Sequence, residues 1–420
     1  MRRWAYTLLL FALLPLALLH LVLRARRQPA YLRHVAERFG VYRMRPARPV
    51  IWLHAVSVGE TRAASPLIHA LRARYPAYDV LVTHTTPTGR ETSESLFGQA
   101  IARAYLPYDF PFAMRRFLRH FRPALGILME TEIWFNLAAC AQAAQVPLIL
   151  ANARLSEKSY RRYARVRGLA RPALHSFARV LAQSAADADR LERLGARSVT
   201  VTGNLKFDVA PPPDAVEAAR ALRARFGPGR PVFLAASTRE GEEALILDAM
   251  GRIGGDGPLV VIVPRHPQRF DEVARLIASR GLALQRKSLG EPIAGATQVV
   301  LGDTMGELFA YYGAADLAFV GGSLMPLGGQ NLIEAAAMGV PVLVGPHTFN
   351  FEEATRAAVA CGCALRVADA EDLLRQAQAL FADARRRQAM HAAALDFAAS
   401  RRGATESLLG ALAPYLQAGA

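Results

Sequence analysis

Two doubly wound parallel sheets in tandem, preceded by a membrane-anchor helix, are what this sequence predicts. Three observations carry the prediction. From residue 50 onward, short apolar runs ending in Gly, Ser, Thr or Pro alternate with Ala/Arg/Leu-rich helical stretches. Repeated β-α of this kind is the signature of a parallel sheet covered by helices. The alternation breaks at "PPPD", Pro211 to Asp214, and resumes after a short helical segment. A nearly uncharged run of spanning length stands ahead of all of it.

That run is "WAYTLLLFALLPLALLHLVL", Trp4 to Leu23, with Arg2 and Arg3 before it and "RARR", Arg24 to Arg27, behind. A secretory signal has a shorter apolar core and a small-residue cleavage site. This run ends in arginines, so residues 1–27 read as an uncleaved anchor. The larger basic cluster on its C-terminal side favours a cytoplasmic body. Pro15 offers a kink. Lying outside the alternating pattern, the anchor is expected to place the protein rather than build its site.

The first domain, 28–210, offers the strands "VIWLHAVS", "DVLVTHTT", "ARAYLP", "ALGILME", "VPLILANA", "ARVLAQS" and "SVTVTGN". A linker region is expected at 211–230. The second domain, 231–395, offers "PVFLAAS", "LVVIVPRH", "QVVLGD", "DLAFVGGS" and "PVLVGP". The end, 396–420, is helical in pattern and is expected to pack back on the first domain. In doubly wound sheets ligands sit outside the carboxyl ends of the strands. Two such Rossmann-like domains facing each other would turn both sets of strand ends into one cleft.

The 420 residues carry a formal charge of +16 with lysine only at Lys158, Lys206 and Lys287, so the basicity is almost all arginine. Excess charge of this sign attracts anionic partners: nucleic acid, acidic lipid or phosphorylated substrates. The arginines are scattered without an aromatic-interleaved basic stretch, which argues against nucleic acid. Cys140, Cys361 and Cys363 form no metal pattern and read as small buried side chains. Walker-loop and His-Glu-x-x-His motifs do not occur. "DAD", Asp187 to Asp189, superficially a metal-binding Asp-x-Asp, follows Ser184 at capping-box spacing and reads as a helix start.

The chemistry-bearing residues cluster at strand ends. Glu60 closes "HAVSVGE" just past the first strand, placed either as a helix's first acidic residue or as a catalytic group. Glu130 and Glu132 follow the strand "ALGIL". Thr83, Thr85 and Thr86 make a hydroxyl-rich turn suited to polar contacts, and Lys206 stands at the exit of the last strand. In the second domain the strand "DLAFV" runs into Gly321-Gly322, and a second pair, Gly328-Gly329, precedes "QNLIEAAAMG". Paired glycines let backbone amides approach an anion. Asn331 and Glu334 share a face at the next helix start, where a carboxylate can hold ribose hydroxyls. Arg265 and His266 end another strand, and Gly306 and Glu307 lie in a turn before a helix. Together these read as a nucleotide site.

The ordered set "HAVSVGE", "THTTPTG", "METEIWFN", "NARLSEKS", "GNLKFD", "VPRHP", "GDTMGEL", "GGSL…GGQNLIEAAAMGVPV" and "GPHTFNF" resembles the 3-deoxy-D-manno-octulosonic acid (Kdo) transferases of lipopolysaccharide synthesis, from the anchor to nearly the C-terminus. The departures are Phe135 and Ala335, where the family has proline. The resemblance implies a glycosyltransferase of the two-Rossmann-domain (GT-B) type at the inner membrane. It implies CMP-Kdo as donor, a phosphorylated glucosamine-disaccharide lipid as acceptor, and inverting transfer without a metal or other cofactor. It implies Glu60 as the base, with Glu130 as second candidate, and Arg265, Gly321-Gly322, Asn331 and Glu334 around the nucleotide. Competing readings are another two-Rossmann-domain enzyme, such as a lipid disaccharide synthase or sugar-nucleotide epimerase, and a non-catalytic basic protein binding acidic lipid.

Overall fold

The computed structural model describes residues 2–227, 229–253 and 257–416. It divides into two compact units, Met1–Asp208 with Arg402–Ala420, and Val209–Arg401.

In the first unit the apolar runs form β1 (Val50–His54), β2 (Asp79–His84), β3 (Ala102–Tyr105), β4 (Pro123–Met129), β5 (Leu148–Ala153), β6 (Arg179–Ala182) and β7 (Val199–Val201). They pair in parallel in the order β3-β2-β1-β4-β5-β6-β7. β1 and β5 are buried along their whole length, so they read as continuous apolar runs rather than alternating ones. One face packs Trp52 with Phe117 and Leu128; the other packs Ile51 with Leu67 and Ile127. Gly126 in β4 makes room for the indole: a Cβ there would lie 2.8 Å from the Trp52 ring and 2.6 Å from Leu148. The order reverses between β1 and β4, so a crevice opens at their carboxyl ends.

The second unit has β8 (Val232–Thr238), β9 (Leu259–Pro264), β10 (Leu284–Arg286), β11 (Val299–Leu301), β12 (Leu317–Val320), β13 (Val342–Val344) and β14 (Ala364–Arg366). The parallel order is β10-β11-β9-β8-β12-β13-β14. Its reversal lies between β8 and β12. The two edge strands, β10 and β14, are additions to the sequence reading. Each is three residues long and ends in arginine, too short and polar to register as an apolar run.

Three expectations change. The 211–230 linker region holds the short helical segment expected there, Ala215–Phe226, which buries Ala219, Leu222 and Phe226. It belongs to the second unit, where Arg223 donates to the Ala314 carbonyl at 3.0 Å and to Asp316 at 2.9 Å. The C-terminal stretch is two helices, Ala384–Ser400 and Ala404–Leu412, separated at Gly403, whose φ is +102°. Only the second lies in the first unit, where Leu408, Leu409 and Leu412 join the Ile51 cluster. Asp208 fixes its start by accepting from the amides of Gly403 (2.7 Å), Ala404 (3.2 Å) and Thr405.

The third change concerns the N-terminal helix, Arg3–Arg27, which is long and apolar enough to cross a membrane. It is not detached from the first unit. Tyr6 donates to Asp109 at 3.0 Å and Thr7 to the Asn136 side-chain oxygen at 3.1 Å. The Tyr6 ring meets Phe135 edge-on at 5.1 Å, and Phe11 packs on Phe110 at 4.7 Å. Much of the helix's apolar surface stays exposed, including Trp4, Leu8, Leu16 and Leu19, while Leu21 and Ala25 are buried.

Candidate active site

Glu60 sits in the helix Val58–Ala63, which starts just beyond β1. The amide of Glu60 donates to the Ser57 hydroxyl at 3.3 Å, and that hydroxyl donates back to Oε1 of Glu60 at 3.1 Å. Oε2 accepts from the Val56 amide at 2.8 Å. This is a capping box displaced by one residue. The helix-start reading of Glu60 therefore holds geometrically, and it leaves the carboxylate with unused acceptor capacity. Burial pushes its carboxyl up to about 7; the Val56 amide pulls the other way, while Glu130 and Glu132 add to the rise. A carboxyl of that affinity exchanges protons near neutrality.

Glu130 follows β4 across the sheet reversal. Its φ is +55°, a left-handed conformation rare for a residue with a side chain. The amide is held by the Ala151 carbonyl at 3.0 Å, so the pairing with β5 fixes this turn. Lys206 Nζ stands 3.9 Å from Oε1 of Glu130. The strand end after β7 thus brings a cation to a site carrying three carboxylates. The third, Glu132, is pushed up by burial and accepts from the Trp134 indole at 2.5 Å.

Beneath them lie two neutral imidazoles. His54 Nδ1 meets the Thr83 carbonyl at 3.1 Å and hydroxyl at 2.9 Å, and its Nε2 lies 4.0 Å from Glu132 without a hydrogen-bond partner. Burial drives its affinity down to about 3, so this proximity is not an ion pair. His84, likewise lowered by burial to about 4, bonds the Ala55 carbonyl at 2.9 Å.

The hydroxyl-rich turn divides. Thr83 is fully buried, and its hydroxyl accepts from Trp52 at 2.8 Å, so it braces the sheet and offers nothing to a substrate. Thr86 caps the helix Pro87–Phe97 by accepting from Gly89 at 3.2 Å. Thr85 is half-buried, and its carbonyl accepts from Arg38 at 3.2 Å.

In the second unit the expected glycine cradle is already occupied. Glu242, fully buried, accepts from the amides of Gly322 (2.6 Å), Ser323 (2.9 Å), Leu324 (2.9 Å) and Arg239 (2.9 Å). Gly321 donates to the Ala236 carbonyl at 2.8 Å. A Cβ at Gly321 would lie 2.6 Å from the Ser237 carbonyl oxygen, so this glycine serves close packing of the two strand ends. Amides already bonded to a carboxylate cannot also cradle a phosphate. At the β8 and β9 ends stand the basic side chains of Arg239, Arg265 and His266, all partly exposed. Burial and the neighbouring charges of Arg239 and Arg265 lower the affinity of His266 for a proton.

Asn331 caps the helix Leu332–Ala337 and donates to Glu334 at 3.0 Å, so the two form one polar pair. Gly306 is exposed with φ +83°. Glu307 is held at 2.5 Å by Lys287 and bonded by Thr304. Burial opposes these contacts, yet the carboxyl stays below its usual range. Its charge is met by Lys287 rather than left for a ligand. Asp187 accepts from the Leu155 amide at 2.9 Å and its own amide donates to Ser184 at 3.2 Å, confirming "DAD" as a helix start. Sequence reading missed Glu242, inside "STREGEE", because an acid in a first helical turn carries no mark of burial.

Comparisons with known proteins follow the same lines. A family model described as 3-deoxy-D-manno-octulosonic-acid transferase (kdotransferase) matches residues 33–209. The chain is 49% identical to the 3-deoxy-D-manno-octulosonic acid transferase of Bordetella pertussis, over 99% of this chain and 100% of that protein. It is 38% identical to the Haemophilus influenzae protein of that name, over 99% of each. A UDP-GlcNAc 2-epimerase from Neisseria meningitidis, solved with UDP-GlcNAc, aligns with TM-score 0.57 at 17% identity, over 87% of this chain and 99% of that one. A glycosyltransferase from Rickettsia africae aligns with TM-score 0.56 at 15% identity, over 88% and 98%. These two show the fold alone, a pair of Rossmann-like domains of the GT-B kind. Near end-to-end identity of this extent places the chain in the 3-deoxy-D-manno-octulosonic acid (Kdo) transferase family of glycosyltransferases.

Proposed function

We propose that the chain moves Kdo from CMP-Kdo to a hydroxyl of a phosphorylated glucosamine-disaccharide lipid, with inversion, at the cytoplasmic face of the inner membrane. The observation that carries the reading is Glu60, a partly buried strand-end carboxylate whose burial raises its proton affinity to about 7. Glu60 takes the proton of the acceptor hydroxyl as that oxygen bonds to the anomeric carbon. The bond from that carbon to the CMP phosphate breaks, and CMP leaves with the electron pair. Glu130 and Glu132 keep the affinity of Glu60 high, and Lys206 balances their charge.

Arg239, Arg265 and His266 meet the departing phosphate, and Asn331 with Glu334 holds the ribose. No divalent metal is needed in this scheme, since the guanidiniums of Arg239 and Arg265 meet the phosphate. The exposed apolar surface of the N-terminal helix and the net charge of +16 suit an acidic membrane and a phosphorylated lipid.

The test is purified protein in detergent with CMP-Kdo, with and without the lipid acceptor. CMP release and a lipid one Kdo heavier are expected only when both substrates are present, and extensive chelation should leave the rate unchanged. CMP release indifferent to the acceptor, or activity lost on chelation and restored by magnesium, would contradict the proposal.

A further inference from the structure

The N-terminal helix does more than meet a membrane. Between it and the body of the first unit lies a cavity of about 340 Å³, within the range of small-molecule sites. Leu10, Leu14 and Ala17 line one wall; Phe110, Ile133 and Trp134 line the other. Both walls are apolar, and the helix wall belongs to the segment whose outer surface is an exposed apolar stripe.

One end of this groove is locked by polar contacts. Asp109, almost fully buried, accepts from Tyr6 at 3.0 Å, from Asn136 at 3.0 Å and from Leu137 at 2.8 Å. Thr7 binds Asn136. A helix serving only as an anchor has no use for buried polar partners, which cost free energy to desolvate and fix its position against the body. The Trp134 wall leads directly to the candidate active site. Its indole donates to Glu132 at 2.5 Å and meets the His54 ring edge-on at 5.7 Å.

We propose that this groove is a subsite for one acyl chain of the lipid acceptor, with the N-terminal helix as its outer wall. The proposal rests on the functional reading above. It adds that the chain leaves the bilayer along the helix and runs under Trp134, which sets the sugar hydroxyl against the carboxylates. A second segment of protein is a poor occupant, because the helix flank that opens the groove is the surface offered to lipid. The anchor then builds part of the site, contrary to the expectation from its place in the sequence.

The test is binding of two acceptors to full-length protein without CMP-Kdo, so that it reads the groove whatever the donor. One carries long acyl chains; the other is the same phosphorylated disaccharide with chains several methylenes shorter. Ala17→Trp and Leu14→Phe fill the groove from the helix side and leave Glu60, Glu130 and Glu132 in place. Each methylene kept in water weakens binding roughly fourfold. The variants should therefore bind the long-chain acceptor at least tenfold more weakly and the short-chain acceptor as wild type does. Equal weakening of both, or of neither, would overturn the acyl subsite. Wild-type protein that binds both acceptors by chain length yet transfers no Kdo would overturn the functional reading and leave the subsite standing.

Discussion

Glu60 follows β1 and Glu242 follows β8, the first strands of their respective units, and each lies in the first turn of the next helix. Both are withdrawn from water, and burial raises the proton affinity of both. Their partners differ. Glu242 accepts from four backbone amides and closes the loop after β12. Glu60 accepts from one amide and one hydroxyl and has Glu130 and Glu132 as like-charged neighbours. The same topological position thus holds a structural brace in one unit and a carboxylate with a loosely held charge in the other. What separates them is how many donors the surrounding turns supply.

The brace should break hardest. Glu242→Ala leaves the Gly322, Ser323 and Leu324 amides buried without an acceptor, at about 1–3 kcal/mol each. Calorimetry should show a large loss of thermal stability. A stability near wild type would mean that these amides find other partners and that the comparison fails.

Glu60→Gln should do the opposite, with a sign that depends on pH. The folded-state affinity of Glu60 is raised to about 7, so the folded state holds the proton more tightly than the unfolded one. Its contribution is fully present below the ordinary glutamate range and is lost as pH rises through 7. Glutamine never ionises. The variant should therefore gain stability over wild type between pH 5 and pH 8, on the order of a few kcal/mol at most. Denaturant melts at the two pH values are the check, and an unchanged difference would show that Glu60 ionises freely.

The smallest effect sharpens the roles around the first site. Thr86→Ala removes a helix cap and should cost about 1 kcal/mol of stability while leaving the acceptor KM alone. A several-fold rise in KM without a stability change would return Thr86 to the substrate contacts expected from sequence.

The alternation of apolar runs made both sheets legible, since buried parallel strands must be apolar along their length. β10 and β14 were not, because edge strands of three residues need no such run. The positions of Glu60, Glu130, Lys206 and Arg265 at strand ends were legible because a doubly wound sheet puts its crevice there. The first glycine pair misled. Gly321 and Gly322 suggest a phosphate cradle, and nothing in the local sequence says that Glu242, some eighty residues earlier, fills it. The N-terminal helix was legible only in part. Its apolar run announces a membrane, while the partners of Tyr6 and Thr7 lie more than a hundred residues away.

The central claim is that Glu60 takes the acceptor proton. Its most direct test is the single-turnover transfer rate of wild type and Glu60→Gln, at saturating CMP-Kdo and lipid acceptor, from pH 5 to pH 9. Wild type should rise about tenfold per pH unit and level off near pH 7. The variant should be slower by about a hundredfold or more at the plateau, a usual scale for a positioned base, and should lack that rise. A folded Glu60→Gln protein transferring Kdo at near wild-type rate, with the same dependence on pH, would contradict the account and leave Glu60 as a helix cap.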